Sequence, residues 1–254
     1  MKCNPTVKDI YDFIDSFAPF DKQCEWDNSG LIVGSKNNTV KKIGVVLDIT
    51  NEAVAVAKEK GCDLIISHHP VIFRATKNFL SDNAAYQLAS SGISAICAHT
   101  SLDIAKGGVN DALAAALGFN NAFPFSEDGE ESMIRIAEIP TADGNELAKT
   151  VADKLKTGIR IADSGKSVSK VALCGGSGGD FIEAVAKSGC DAYITGDILH
   201  HEFLDALELG LTLIAAGHFE TENPVVTSLA EKIRSEFAVD VEIIPQNSPV
   251  KYIY

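Results

Sequence analysis

Short apolar runs that can form buried strands alternate with helical segments along this chain, and the succession occurs twice. In the first half, apolar runs at residues 42–48 and 62–67 flank a helical segment at 51–60, and another apolar run follows at 93–98. Parallel neighbouring strands need a crossover between them, which is usually a helix. The order of segments therefore predicts the α/β fold class with parallel sheets.

The second half repeats this order. An apolar run at 170–174 precedes a helical segment at 181–187, and further apolar runs follow at 189–195 and 211–217. The triplet Gly-Cys-Asp that opens 189–195 also opens 61–67. We interpret the repetition as an internal duplication, which predicts two related α/β domains.

The predicted domains are residues 1–125 and 126–254. Their boundary is placed in the polar, acidic stretch 120–131, which contains Pro and Gly. The C-terminal segment 239–254 is left open, because it could pack back on the first domain.

Composition limits the partners and the compartment. A formal net charge of −13 over 254 residues repels nucleic acid and anionic membranes, which argues against both as general partners. No apolar run approaches the roughly 20 residues of a membrane helix. Residues 6–17 predict an amphipathic helix with a capping box, and no signal peptide. Six scattered cysteines without a C-x-x-C pair indicate reduced, packed thiols in a cytoplasmic protein.

All six histidines lie in four short polar clusters at or just beyond predicted strand ends, at residues 67–70, 99–103, 196–202 and 217–222. In doubly wound sheets, ligands gather at the carboxyl ends of the strands. Imidazole nitrogens and carboxylate oxygens together suit a divalent metal ion. We therefore predict a metal site in a cleft between the two domains, with satisfied structural histidines as the alternative.

His68 and His69 are adjacent and precede Pro70. Neighbouring side chains of a regular strand point to opposite faces, so two adjacent imidazoles are awkward ligands for one ion. At an irregular strand end they can reach two different ions, which favours a dinuclear centre. A polar loop with two incidental histidines is the structural alternative.

A carboxylate follows a histidine by four residues in both halves, in His99–Asp103 and in His218–Glu222. The predicted metal ligands are His68, His69, Asp103, His218 and Glu222. Two divalent ions (Zn, Fe, Mn, Co or Ni) held by this set would activate a water near neutral pH and attract an anionic substrate. Asp103 could instead be a turn residue, and Glu222 a helix cap.

His201 and His99 are the candidates for moving protons, although either could be structural. The glycine-rich stretch 174–180 lacks a phosphate-binding pattern and is interpreted as a tight turn, with Asp180 as a helix cap. Trp26 is the only tryptophan and is interpreted as a loop anchor, or as a lid or base-stacking residue.

Five motifs resemble those of the GTP cyclohydrolase I type 2-like family, also called the Nif-three-like dinuclear metal-centre hexameric proteins. They are Trp-Asp-Asn-Ser-Gly at 26–30, Ser-His-His-Pro at 67–70, His-Thr-Ser-Leu-Asp at 99–103, Gly-Asp-Ile-Leu-His-His-Glu at 196–202 and Gly-His-Phe-Glu-Thr-Glu at 217–222. The motifs span nearly the whole chain. Ser101 replaces the asparagine that is common in the family.

The resemblance implies two related α/β domains with a dinuclear metal site between them, assembled as a toroidal homohexamer. It places the family's paired histidines on His68 and His69, its carboxylates on Asp103 and Glu222, and its remaining ligand on His218. It also matches His201 to a family histidine. The family name implies opening of the GTP imidazole ring.

These observations leave more than one function open. A divalent-metal-dependent hydrolase could act on a nucleotide or another phosphorylated small molecule. Alternatively, the chain could be a non-catalytic hexameric metal-binding scaffold or adaptor. A DNA-associated role is the third hypothesis, against which the net charge of −13 argues.

Overall fold

The computed structural model describes residues 4–125 and 132–251. The described strands are β1 (Gly30–Val33), β2 (Lys42–Val46), β3 (Leu64–Ser67), β4 (Ser94–Cys97), β5 (Phe123–Pro124), β6 (Arg135–Ala142), β7 (Arg160–Ala162), β8 (Val168–Ser177), β9 (Ala192–Asp197), β10 (Thr212–Ala215) and β11 (Asp240–Ile243). The described helices are α1 (Val7–Phe17), α2 (Asn51–Glu59), α3 (Ala84–Ser91), α4 (Thr100–Ile104), α5 (Val109–Leu117), α6 (Gly144–Leu155), α7 (Ile182–Lys187), α8 (His200–Glu208), α9 (His218–Glu222) and α10 (Pro224–Glu236).

The chain divides into two compact units, each built around one sheet. The first unit takes the described part of Met1–Gly108 together with Val225–Asn247. The second unit takes the described parts of Val109–Pro224 and Ser248–Tyr254. Two sheets flanked by helices confirm the predicted α/β class.

The first sheet has the strand order β1-β4-β3-β2-β11. The strands β11, β2, β3 and β4 run parallel, and β1 adds an antiparallel edge. Leu64, Ile65 and Ile66 of β3 have no exposed surface. Such a continuous apolar run is typical of a parallel strand that is covered on both faces.

The second sheet has the order β5-β6-β8-β9-β10-β7. Its centre, β8-β9-β10, is parallel, and its remaining strand pairs are antiparallel. The antiparallel strands β6 and β7 were not predicted. Their residues alternate with polar ones or form very short runs, so they lack the continuous apolar signal of the parallel strands.

The Gly-Cys-Asp triplets occupy equivalent positions in the two sheets. Asp63 accepts hydrogen bonds from the backbone amides of residues 41 and 42, at 2.7 and 3.1 Å. Asp191 accepts from the amides of residues 169 and 170, both at 2.9 Å. In each unit, the aspartate before one parallel strand therefore ties down the start of its neighbour, as expected for a duplicated fold.

The limits of the compact units differ from the predicted boundary at 125/126, part of which (126–131) lies outside the described residues. Helix α5 belongs to the second unit, where Asp111 accepts a hydrogen bond from the buried Arg135 guanidinium at 2.5 Å. Helix α10 and strand β11 belong to the first unit, because β11 pairs with β2.

Helix α1 begins as its sequence predicts. The Thr6 hydroxyl and the Asp9 amide form one half of a capping box, and the Asp9 carboxylate with the Thr6 amide forms the other. None of the helices within the described ranges has both the length and the apolar character needed to cross a membrane.

The five described cysteines form no disulfide, and four of them are buried: Cys62, Cys97, Cys174 and Cys190. Burial raises the pKa of the Cys62 thiol to about 11 and that of Cys97 well above its usual value. Protonated, packed thiols are poor metal ligands, which agrees with the expected role of these residues. Cys3 lies outside the described residues.

Candidate metal centre

Three histidines of the first unit lie together at the carboxyl ends of β3 and β4. His68 and His69 follow β3 directly, and His99 stands two residues beyond β4. Their ring centroids are 4.8–5.4 Å apart. Each ring offers a nitrogen, and these nitrogens lie within 4.8 Å of one another. The parallel register of β3 and β4 thus brings together two of the polar clusters.

The Nδ1 atom of each of these rings faces an oxygen acceptor. His68 Nδ1 lies 2.9 Å from the Ala98 carbonyl oxygen, and His69 Nδ1 lies 2.8 Å from an Asp48 carboxylate oxygen. His99 Nδ1 lies 2.8 Å from Asp27 Oδ1. An acceptor at Nδ1 favours the proton there, so that Nε2 carries the lone pair that a metal ion requires.

Asp27 fixes His99 through a dense set of hydrogen bonds. Its carboxylate, which is closed to solvent, also accepts from the Thr100 amide at 3.0 Å and the Thr100 hydroxyl at 2.6 Å. Burial by itself would raise the pKa of Asp27, but the hydrogen bonds from His99 and Thr100 outweigh it and hold the pKa well below its usual range. Asp27 is therefore a permanent anion behind the His99 ring.

Asp103 reaches the histidines from the short helix α4, which starts immediately after His99. Asp103 is 9% exposed, and its Oδ1 lies 3.6 Å from His68 Nε2. A buried carboxylate beside an imidazole lone pair suits a shared cation better than a turn residue.

The second unit carries its own pair of donors on helix α9. His218 and Glu222 are four residues apart and lie on one face, with His218 Nε2 3.2 Å from Glu222 Oε1. His218 Nδ1 lies 3.0 Å from Asp197 Oδ2 at the end of β9. Glu222 is 4% exposed. As at His68, an oxygen acceptor faces Nδ1 of the imidazole and a carboxylate lies beside its Nε2. The acceptor at Nδ1 is a carboxylate for His218 and a backbone carbonyl for His68.

A glycine lets β8 approach this pair closely. Gly176 has a φ of +67°, and a Cβ built on it would lie 2.2 Å from Glu222 Oε1 and 3.4 Å from His218 Nε2. The interpretation of 174–180 as a tight turn missed this role. Strand β8 continues to Ser177, a 3-10 turn covers Gly179–Phe181, and the capping position of α7 is Phe181, so Asp180 is not its cap.

His201 occupies a different place in the second unit. It lies in the first turn of α8 and is exposed. It lines an open cavity of about 730 Å³ between α7 and α8, whose other lining residues include Glu183, Lys187 and Asp205. Among the described residues, neither His218 nor Glu222 lines that cavity.

The donor chemistry of both units fits divalent metal ions. The first unit presents His68, His69 and His99 with Asp103, and the second presents His218 with Glu222. Nitrogen and oxygen donors in this combination suit Zn, Mn, Fe, Co or Ni. The acceptors at Nδ1 are the outer partners that metal-bound histidines usually have. Sequence reasoning gave Asp27 and Asp48 no positioning role.

Comparison with known proteins places the chain among relatives of its own length. Residues 5–249 match the profile of the Duf34/NIF3 (NGG1p interacting factor 3) family. A protein of Clostridium perfringens named "GTP cyclohydrolase 1 type 2 homolog" is 32% identical over 248 residues, which cover 94% of this chain and 95% of the relative. A protein of the same name from Methanocaldococcus jannaschii is 32% identical over 244 residues, covering 94% and 98%.

Solved structures are similar to this chain over the same extent. A hypothetical protein of Staphylococcus aureus, SA1388, superposes with a TM-score of 0.89 at 27% identity, covering 98% of this chain and 100% of that one. Reduced HcgD from Methanocaldococcus jannaschii superposes with a TM-score of 0.80 at 30% identity, covering 94% and 97%. The similarity therefore extends over both units.

Proposed function

The chain belongs to the Duf34/NIF3 family, and we propose that it is a divalent-metal-dependent hydrolase of a nucleotide or another phosphorylated small molecule. The observation that carries the proposal is the repeated arrangement of imidazoles. His68, His69 and His218 each have Nδ1 against an oxygen, and a carboxylate lies beside Nε2 of His68 and of His218. Such rings are fixed for ligation before any ion arrives.

In this proposal both units contribute to one dinuclear centre. His68, His69 and Asp103 come from the first unit, and His218 and Glu222 from the second. Neither set alone fills the coordination of two ions, each of which takes four or more ligands. The family resemblance favours the same sharing.

Bound divalent ions would supply Lewis-acid polarisation and a water of lowered pKa. The residues of the chain would do the remaining work. His99, proposed as the general base, would accept at Nε2 the proton that the attacking water gives up, while the ionised Asp27 at its Nδ1 would stabilise the resulting imidazolium. A role for His201 in proton transfer stays a prediction, because His201 lines the cavity between α7 and α8, which, in the described part of the chain, neither His218 nor Glu222 lines.

A panel of phosphate esters, together with a formate-release assay on GTP, tests the proposal. We expect turnover by the metal-loaded wild type, and at least a hundredfold loss in His69→Ala with Glu222→Ala, because ligands would be lost from both units. His200→Ala is the matched control, since it removes an exposed imidazole outside the ligand set. The proposal is wrong if the wild type turns over none of these substrates.

That negative result would favour the scaffold alternative, in which the ions hold the assembly together. Light scattering on a sizing column distinguishes the two outcomes. A homohexamer, which the family resemblance implies, would have six times the 27.0 kDa mass of the chain. A scaffold predicts that the double variant disassembles, whereas an enzyme predicts that it stays assembled and loses turnover.

A further inference from the structure

Two large aromatic side chains stand exposed beside the histidines of the first unit. Trp26 is 60% exposed and Phe73 is 46% exposed. Their ring centroids are 5.8 Å apart with a tilt of 55°, so the rings are not stacked on each other. Each also contacts His99 edge-on, at 5.8 and 6.0 Å. The three rings form a surface that we call the aromatic platform (Trp26, Phe73 and His99).

The backbone that carries the platform is firmly anchored. Asp27, next to Trp26, is held by His99 and Thr100. The Asn28 side chain donates to the carbonyl oxygen of Ile72, next to Phe73, at 2.6 Å, which ties the two loops together. The exposure of Trp26 is therefore maintained by the structure, although burying an indole would be favourable.

The position of the platform specifies what it can hold. Indole and phenyl faces bind flat aromatic rings with little regard to their hydrogen-bonding pattern. His99 belongs to the platform, and its ring nitrogen lies within 4.8 Å of those of His68 and His69, the proposed metal ligands. A ligand that lies on Trp26 can therefore extend an anionic arm toward the bound metal.

We propose that Trp26 and Phe73 bind the flat heteroaromatic ring of the ligand, so that the substrate class is a nucleotide-like molecule and not a simple sugar phosphate. The proposal rests on the proposed function, because the metal ions are expected to hold the phosphate. It adds that the ring, which makes no contact with the metal, contributes a large share of the binding.

The only tryptophan of the chain provides the measurement. Metal-loaded wild type is mixed with GMP or with ribose 5-phosphate, which carry the same phosphate monoester, and indole fluorescence is recorded within the mixing time. We expect GMP to quench the signal and to bind about tenfold more tightly or better, as stacking on one aromatic ring allows. Equal affinities, or no binding of GMP, overturn the proposal.

Variants separate stacking from general loop effects. Trp26→Ala should lower the affinity for GMP by about tenfold and leave that for ribose 5-phosphate unchanged, whereas Trp26→Phe should restore most of it. Calorimetry replaces fluorescence for these variants. Phe79→Ala is the matched control, because Phe79 is 51% exposed in the loop that carries Phe73 and, among the described residues, its ring is not one of those in contact with Trp26 or His99. An unchanged GMP affinity in Trp26→Ala overturns the proposal.

Two further outcomes are distinguishable. The platform could instead contact a second copy of the chain, in which case Trp26→Ala changes the mass in light scattering and not the preference for GMP, and the proposal is wrong. Binding is measured without turnover. A protein that prefers GMP but hydrolyses nothing would therefore contradict the proposed function and support the platform.

Discussion

At position 176 a hydrogen atom stands where any other residue would place a carbon against the Glu222 carboxylate. Gly176→Ala would bring Cβ to 2.2 Å from Glu222 Oε1 at a φ of +67°. We expect the variant to fold and to lose much of its metal, because Glu222 must move away from His218. Metal content after dialysis, measured by mass spectrometry, checks this expectation.

Gly189→Ala is the matched control for this substitution. Gly189 has a φ of +74° in the same unit, and nothing lies within 4 Å of a Cβ built there. Both variants bear the left-handed backbone strain of about 1 kcal/mol. If both lose metal equally, backbone strain is the cause and the close approach to Glu222 has no special role.

Asp48 lies behind His69 and is itself held by a residue distant in sequence. The Gln246 side chain accepts from the Leu47 and Asp48 amides at 2.9 and 3.0 Å and donates to the Asp48 carbonyl oxygen at 2.7 Å. Asp48→Asn keeps the shape and removes the charge. We expect about tenfold weaker metal binding, the lower end of the effect of such partners.

Competition with a chelator of known affinity measures that change. Asp82→Asn serves as the control, since Asp82 is an exposed aspartate of the same unit. An Asp48→Asn affinity within a factor of about two of the wild type would mean that the negative charge of Asp48 is not needed behind His69.

The sequence indicated the ligand residues, but it gave no role to Asp27 and Asp48, which lie behind the His99 and His69 rings. His68 and His69 share a motif, and His218 and Glu222 share a helical turn, so short spacing reveals them. The contacts behind the rings join residues far apart, as Asp27 and His99 do. Such pairs depend on strand register, which no local pattern contains. A signal was nevertheless present, because Asp48 stands two residues beyond the apolar strand β2.

At the scale of elements, the duplication is seen most clearly in the two aspartates that open β3 and β9. Asp191 joins the starts of β8 and β9 through backbone and side-chain donors. Burial would raise the pKa of Asp191, but the amides of Ser169 and Lys170 outweigh it and lower the pKa. The carboxylate thus stabilises the fold in its ionised form.

The lowered pKa of Asp191 determines how its contribution to folding stability changes with pH. Asp191 stabilises the folded state fully above the unfolded pKa of about 3.9, and this contribution is lost as the pH falls through the lower folded pKa. Asp191→Asn should therefore cost about 1 kcal/mol at neutral pH and converge with the wild type in acid. Hydrogen exchange of β8 and β9 amides across pH checks it, with the exposed Asp153→Asn as control.

If the difference in the free energy of unfolding between wild type and Asp191→Asn stayed constant from neutral pH to about pH 2, the carboxylate charge would not be the stabilising feature.

The parallel strands around Asp191 were predictable because they are continuous apolar runs. The antiparallel strands β6 and β7 were not, since β7 covers only Arg160–Ala162 and β6 mixes buried with exposed residues. Such strands are identified by the strands with which they pair and not by their composition.

At the scale of the whole molecule, the chain leaves the first unit after Gly108 and returns to it at Val225. Sequence order alone favours contiguous domains, so the return was foreseeable only as an option for the C-terminal segment. Pairing of β11 with β2 decides it, since Asp240–Ile243 completes the parallel sheet. The chain passes back to the second unit after Asn247, so neither unit is one continuous segment.

A shared metal centre would connect the stabilities of the two units. Ligand bound to the folded state at about 100 times its Kd stabilises it by about 2.7 kcal/mol. If the ions take donors from both units, Glu222→Ala in the second unit should abolish the metal-induced rise in the unfolding temperature of the first unit. Trp26 fluorescence reports the first unit, and hydrogen exchange of β9 reports the second. Glu220→Ala removes the same charge from the same helix and should leave the rise intact. Metal protection of Trp26 that survives Glu222→Ala would mean that the histidines of β3 and β4 bind their ions independently of α9.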